Sequence, residues 1–282
     1  MKKTIFLLIG MVAFFAVNAF SMDIEALIPM LKEAKEGITT VFTSIDNGLS
    51  TTARKLSNVD LKGDDARKIL NDLCKGRDYL IDCSIIDTAG KMIVVEPAEY
   101  SKYEGSDISK QTHIIDMLKN KKPVFSNAFH SVEGIEAVDF DYPIFSDKGD
   151  FLGAVSMLIK QDALSADIIM PLVQGMACKA WIMQKNGMII YDPDPNQIGK
   201  NIFVDPFFQP FGDLVSFSGT VAMAKSGAGS YDFYVKGMED QTVVKKYAVW
   251  DTVSLYGTQW RIIVMEVDDQ PAIKKDTVNT KK

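Results

Sequence analysis

The stretch IMQKNGMIIYDPDPNQIGKNIF, residues 182–203, decides how the whole chain is read. Two apolar runs flank Asn186-Gly187, a strong short-range signal for a β-hairpin. Two acid–proline pairs follow, Asp192-Pro193 and Asp194-Pro195, and then an isolated Gly199. A calcium loop would need a fuller spaced set of oxygen ligands. An earlier stretch, SIIDTAGKMIVVEPAEYSKYEGSDI at residues 84–108, repeats the pattern. Both copies run strand, polar turn, glycine, strand, acid–proline, loop glycine, then Asp-Ile or Asn-Ile. The turn glycines, Gly90 and Gly187, lie 97 residues apart, and the loop glycines, Gly105 and Gly199, lie 94 apart. A repeat of this size means two similar modules in tandem, each a small sheet. The acid–proline pairs are therefore read as turn architecture.

Ahead of the first copy, apolar residues recur at helical spacing: Ile24, Leu27, Ile28 and Leu31, then Ile38, Val41, Phe42, Ile45 and Leu49. Pro29 is tolerated near a helix start. A second helix opens at Asp64-Asp65, where negative charge suits the helix dipole. After the first hairpin the pattern predicts a short helix over 109–118 and strands over 124–130, 137–145 and 152–159. Residues 161–178 read as a linking helix, with Pro171 as a kink. The second copy gives its hairpin, a loop and short helix to about residue 224, then strands over 229–235, 242–254 and 259–267, with Gly237 in a turn. The fold class is α+β: a long N-terminal helix followed by two tandem antiparallel-sheet modules. The divisions are a signal peptide (1–21), an N-terminal helical region (22–79), a first module (80–160), a linking helix (161–178), a second module (179–270) and a polar tail (271–282).

Lys2-Lys3, the apolar run 5–17 and the small residues around Val17-Asn18-Ala19 have the shape of a secretory signal peptide. The alternative is a retained anchor, but a spanning helix needs about 20 apolar residues. The expected location is secreted or periplasmic. Composition is globular, with 47% hydrophobic and 24% charged residues. The net charge of -6 and scattered arginines offer no basic face for nucleic acid. Of three cysteines, Cys74, Cys83 and Cys178, at least one must be unpaired. Cys74 and Cys83 could bridge in an oxidising compartment, or all three could serve as small buried apolar residues. The only histidines are His113 and His130, and no G-x-S-x-G, H-E-x-x-H or P-loop occurs. No enzyme, metal or cofactor is expected.

Four runs, IIDTAGKMI, PIFSDKGDFLGAVSMLI, YDPDPNQIGKNIF and WRIIVMEV, together with the order of elements, give a resemblance to the double Cache family of extracytoplasmic sensor domains. It covers nearly the whole chain after the signal peptide. The resemblance implies two PAS-like modules, the first (membrane-distal) of which binds a small molecule between sheet and loops. A branch of the family reads amino acids with an Arg and an aromatic pair, a Tyr-x-Asp on the next strand and an Asp on the last strand. The corresponding positions here are Phe129-His130-Ser131 and Leu158, and no Arg or Trp lies between Gly105 and Leu118. An α-amino acid read in that way is therefore not expected.

The candidate ligand-binding residues are Tyr103, His113, Phe125, Asn127, Phe129 and Asp139. Strand alternation places Phe125, Asn127 and Phe129 on one face. Asn127 would orient a polar ligand while the rings supply contact area. His113 sits on the helix that should roof the pocket, and Tyr103 in the preceding loop. Asp139 and Asp141 read either as a metal pair or, more simply, as a solvated strand face. The expected protein is an exported, free-standing sensor or solute-binding protein. Its partners are a small molecule and a membrane receptor or transporter. A structural or adhesion module without a ligand, or a membrane-tethered sensor, are the alternatives.

Overall fold

A computed structural model describes residues 24–236 and 240–267. The signal-peptide segment, Gly237 and the polar tail lie outside the described residues. A 3-10 turn, Ile24–Leu27, leads into α1, Ile28–Leu56. Pro29 falls in its first turn, where the missing N–H costs nothing. Leu31, Ala34, Ile38, Phe42, Ile45, Leu49, Ala53 and Leu56 form its buried stripe, recurring every three or four residues. Helix α2, Asp64–Cys74, follows.

The first sheet contains β1 (Leu80–Ile86), β2 (Met92–Glu96), β3 (Val124–Phe125), β4 (Phe129–His130), β5 (Glu136–Phe145) and β6 (Phe151–Ile159). Its order is β2-β1-β6-β5-β3, with β4 also paired to β5. Helix α3, Thr112–Asn120, lies between β2 and β3 in the chain. Helix α4, Gln161–Val173, leads to the second sheet. That sheet contains β7 (Lys179–Gln184), β8 (Ile189–Tyr191), β9 (Gly227–Tyr234), β10 (Val243–Leu255) and β11 (Thr258–Val267), ordered β8-β7-β11-β10-β9, with α5 (Gly212–Met223) ahead of β9. Every pairing is antiparallel.

The internal repeat reappears as the same hydrogen bonds. Ile108 N–H donates to Gly90 O and Ile202 N–H to Gly187 O, both at 2.9 Å. Gly105 N–H donates to Met92 O at 2.7 Å and Gly199 N–H to Ile189 O at 2.9 Å. Gly90 and Gly187 adopt φ of 83° and 89°, a region glycine enters freely. They also carry close neighbours: a Cβ at Gly90 would stand 2.7 Å from Ser109 Cα, and one at Gly187 2.4 Å from the Phe203 ring.

One face of each sheet packs on α1. Ile85, Val138, Phe140, Val155 and Met157 of the first sheet share one core with Ile182, Val249, Trp260, Ile262 and Val264 of the second. Phe42 is the meeting point, with ring centroids 5.0 Å from Phe125, 5.7 Å from Phe140 and 5.0 Å from Trp260. The opposite face of each sheet faces its own helix and loops.

The segment PVFSNAFH does not form one strand. β3 ends at Phe125 and β4 begins at Phe129; between them Ser126 N–H still donates to Asp139 O on β5 at 2.9 Å, but Asn127 and Ala128 leave the ladder. Two contacts with the second module hold this break. Gln184 Oε1 accepts from Ala128 N–H at 3.1 Å, and the Thr258 hydroxyl donates to Phe125 O at 2.5 Å. The three cysteines are free thiols, with Cys83 and Cys178 buried.

Candidate functional site

Period-two alternation sorts the first sheet into an apolar face and a polar one. Cys83 and Ile85 on β1, Val138 and Phe140 on β5, and Val155 and Met157 on β6 join the core under α1. The alternate positions carry Asp82, Ser84, Asp139, Asp141 and Ser156, and all five are buried. Register brings them together: Leu158 stands between Asp82 and Asp139, and Ser156 between Ser84 and Asp141. The Ser156 hydroxyl donates to Asp139 Oδ1 at 2.5 Å, and Asp139 N–H donates to Ser126 Oγ at 2.8 Å.

Three segments cover this polar face. Helix α3 supplies His113, whose Nε2 lies 3.4 Å from Asp139 Oδ2 and whose ring centroid is 4.6 Å from that of Phe129. The turn after β4 supplies Ser131 and Glu133. The segment before α3 supplies Tyr100 and Tyr103, whose rings stack with centroids 6.3 Å apart. The Tyr103 hydroxyl reaches the Glu133 carbonyl at 3.4 Å, tying that segment to the turn.

Asp82, Ser84, Ser131, Glu133, Asp139 and Ser156 close on a space of about 10 Å³ that, among the described residues, no Lys or Arg lines. That is the room of one water. Several buried atoms here have no hydrogen-bond partner among the described residues: Asp82 Oδ2, His113 Nε2, Ser131 Oγ, Glu133 Oε1 and both oxygens of Asp141. Burial lifts the Asp82 carboxyl well above its usual range, and the nearby Glu133 and Asp139 charges add to the rise. Burial lifts Asp141 in the same way, with Asp139 adding to it. Glu133 is also raised by burial. Unpartnered buried carboxyls are costly, and a cation between them would satisfy the orphaned oxygens and displace their protons.

The sequence-derived candidates divide. His113, Phe129 and Asp139 meet in this site, and Tyr103 stands at its rim. Phe125 does not: it is 2% exposed in the core under α1, stacked on Phe140 at 4.1 Å. Asn127 is exposed in the break between β3 and β4. The strand breaks between them, so alternation does not carry across, yet Phe125, Asn127, Phe129 and His113 all line one open cavity of about 430 Å³ at the break. Asp139 and Asp141 are 4% and 0% exposed, which overturns the solvated-face reading. His113, Asp139 and Asp141 instead form a buried group whose donor atoms lie within 4.8 Å of one another, spacing that suits a metal ion. His130 points away, 3.0 Å from Glu136. Asp82, Glu133, Ser131 and Ser156 escaped the sequence reading. The signal that finds Asp82 and Ser156 is polar alternation shared by three strands, Asp82-x-Ser84, Asp139-x-Asp141 and a lone Ser156 between apolar neighbours; Glu133 and Ser131 lie in the turn after β4, where no periodicity marks them.

Residues 40–161, from the middle of α1 to the start of α4, match the family model described as HK/GC/chemotaxis protein-like sensor domain. An extracellular ligand binding receptor from Desulfohalobium retbaense superposes with a TM-score of 0.73 at 28% identity, over 86% of this chain and 40% of that one. The chain thus spans about two fifths of that receptor's length. The ligand-binding domain of a Campylobacter jejuni chemoreceptor in complex with 4-methylisoleucine superposes with a TM-score of 0.64 at 12% identity, over 94% of this chain and 100% of that one. That of a Pseudomonas aeruginosa amino acid chemoreceptor in complex with GABA gives 0.60 at 14% identity, over 86% and 98%.

The chain has the double Cache sensor fold.

Its α1 is the long helix of that fold, and its two sheets are the tandem modules. The double Cache fold and the matching family model are those of ligand-binding sensors of chemoreceptors and kinases. No curated protein matches the sequence. Among the described residues, no helix is long and apolar enough to cross a membrane.

Proposed function

We propose that this double Cache protein is an exported sensor or solute-binding protein that takes a small organic ammonium in its first module. The carrying observation is the convergence of Asp82, Glu133 and Asp139 on one buried space that no Lys or Arg among the described residues lines. Carboxylates hold an ammonium through charge-assisted hydrogen bonds. The Tyr100, Tyr103 and Phe129 rings nearby suit cation–π contact and supply apolar area. Solved proteins of this fold are bound to GABA and to 4-methylisoleucine, both of which carry an amine. The missing Arg and Trp argue for an amine without an α-carboxylate. Entry requires the 131–134 turn and the Tyr100–Tyr103 segment to swing outward, because the space is one water in size. The site serves signalling to a membrane partner, or uptake.

A second reading, a divalent cation, rests on the close spacing of donor atoms in His113, Asp139 and Asp141. Calorimetry of the purified protein with monoamines and diamines, and separately with zinc, calcium and EDTA, decides. The ammonium reading expects amine binding that survives EDTA, releases protons and weakens about tenfold or more in Asp82→Asn and Glu133→Gln. Binding of a metal alone, lost in His113→Ala, selects the second reading. Heat from neither class sinks both.

A further inference from the structure

The second module holds a larger cavity, on the face of its sheet turned away from α1. It measures about 410 Å³, within the size range of small-molecule sites. Its walls are Trp181, Ile189, Leu214, Tyr231, Phe233 and Met265, from strands β7 to β11 and helix α5. Apolar and aromatic walls of this kind match the body of an organic ligand. Its polar groups include Lys246, Lys179 and the Asp192–Gln197 loop.

Lys246 is out of place for a core strand. Alternation on β10 turns Val244, Lys246, Ala248 and Trp250 to the same face, and all four are buried. The Lys246 residue is 4% exposed, and among the described residues its ammonium makes no ion pair. Its contact is the Phe233 ring, 5.3 Å from Nζ to the centroid. Lysine is almost never this buried without a counter-charge. Burial pulls its pKa down to about 8, although the Asp192 charge resists the fall. Asp192 is not the missing partner: it stands beyond ion-pair range, and its Oδ1 accepts from Asp194 N–H at 2.8 Å. A second polar group points the same way. The Tyr231 hydroxyl accepts from Trp181 Nε1 at 3.1 Å, which leaves its own proton to donate. An acceptor bearing negative charge would satisfy both Lys246 and Tyr231.

We propose that this cavity is a second ligand site, specific for a small organic carboxylate, with Lys246 as the counter-charge, Tyr231 as a donor and Trp181 and Phe233 as walls. The site is independent of the ammonium site: it lies in the other module and demands the opposite ligand charge. The double Cache protein would then read two chemically distinct compounds.

The test is titration of the purified protein with propionate, benzoate and phenylacetate, followed by calorimetry and by tryptophan fluorescence, since Trp181 forms a wall. At least one carboxylate should bind, while its uncharged amide should not. Lys246→Met should weaken binding about tenfold or more and Tyr231→Phe by about three- to tenfold. Asp82→Asn should leave carboxylate binding unchanged, whether or not amines bind the first module. Tyr231→Phe keeps the ring, so it remains informative if Lys246→Met fails to fold. Carboxylate binding untouched by either substitution, equal binding of the amides, or no binding of any of the three overturns the proposal.

Discussion

The buried acids set the chemistry residue by residue. Asp141 has both oxygens unpartnered among the described residues and none of its surface exposed, so burial lifts its carboxyl well above the usual range, with the Asp139 charge adding to the rise. The sign follows: a folded-state pKa raised above about 3.9 means that the folded protein binds more protons, so stability falls as pH rises above about 4. Asp82 acts in the same direction. Asp192 does so over a defined window, because burial pushes its carboxyl up to about 7 against an ordinary value near 3.8. Urea midpoints should therefore decline between about pH 5 and pH 7 in the absence of ligand. Asp141→Asn should match the parent at the acid end and exceed it increasingly toward pH 8. A variant no more stable than the parent at pH 8 would show that Asp141 is ionised in the folded state. Asp139 and His113 were legible as candidates because their types and places are informative alone. Asp82 and Glu133 were not, because an acid in a short strand or turn looks like surface until its neighbours across the sheet are known.

At the scale of elements, periodicity carried most of the architecture. Helical spacing located α1 and α2, and the paired glycine turns located both hairpins. The repeat was legible because the same turn needs the same backbone. The element misread was PVFSNAFH, where composition favours a strand but Ser126 turns inward to accept from Asp139 N–H and Ala128 N–H donates to Gln184 of the other module. Those partners are distant in sequence, so no local pattern announces them. The acid–proline pairs show the same limit. Glu96 is held by Arg67 at 2.7 Å and Asn71 at 2.9 Å, both from α2, whereas Asp192 meets no such helix and faces a cavity. One sequence device thus serves as scaffold in one module and as a cavity wall in the other. The turns themselves can be tested with a matched pair. Gly90→Ala must fit a Cβ 2.7 Å from Ser109 Cα, whereas Gly105→Ala meets nothing within 4 Å and bears only the positive φ. Gly90→Ala should cost about 1–3 kcal/mol more in urea unfolding. Equal losses would mean that the close approach relaxes freely.

At the scale of the whole molecule, α1 makes one body of two modules. Its buried stripe packs on both sheets, and Lys35 adds an ion pair to Asp251 at 2.7 Å while Tyr256 hydrogen-bonds Asp46. A shared core should unfold as one unit, in a single transition by tryptophan fluorescence and circular dichroism. Phe42→Ala removes the ring between Phe125, Phe140 and Trp260. It should cost about 3–5 kcal/mol and move both signals together. Two separated transitions in that variant would show that the modules are stable alone. The break at Ser126–Ala128 matters on the same scale. Phe129, against His113 in the acid site, is the next residue after Ala128, whose N–H is held by Gln184 of the second module. Adjacent Cα atoms are about 3.8 Å apart and the peptide between them is rigid. Only the backbone torsions of Ala128 separate the inter-module bond from the Phe129 backbone. A guest that shifts the Phe129 backbone acts one residue from the Gln184 hydrogen bond, so the seam between the modules sits within reach of a change in the acid site.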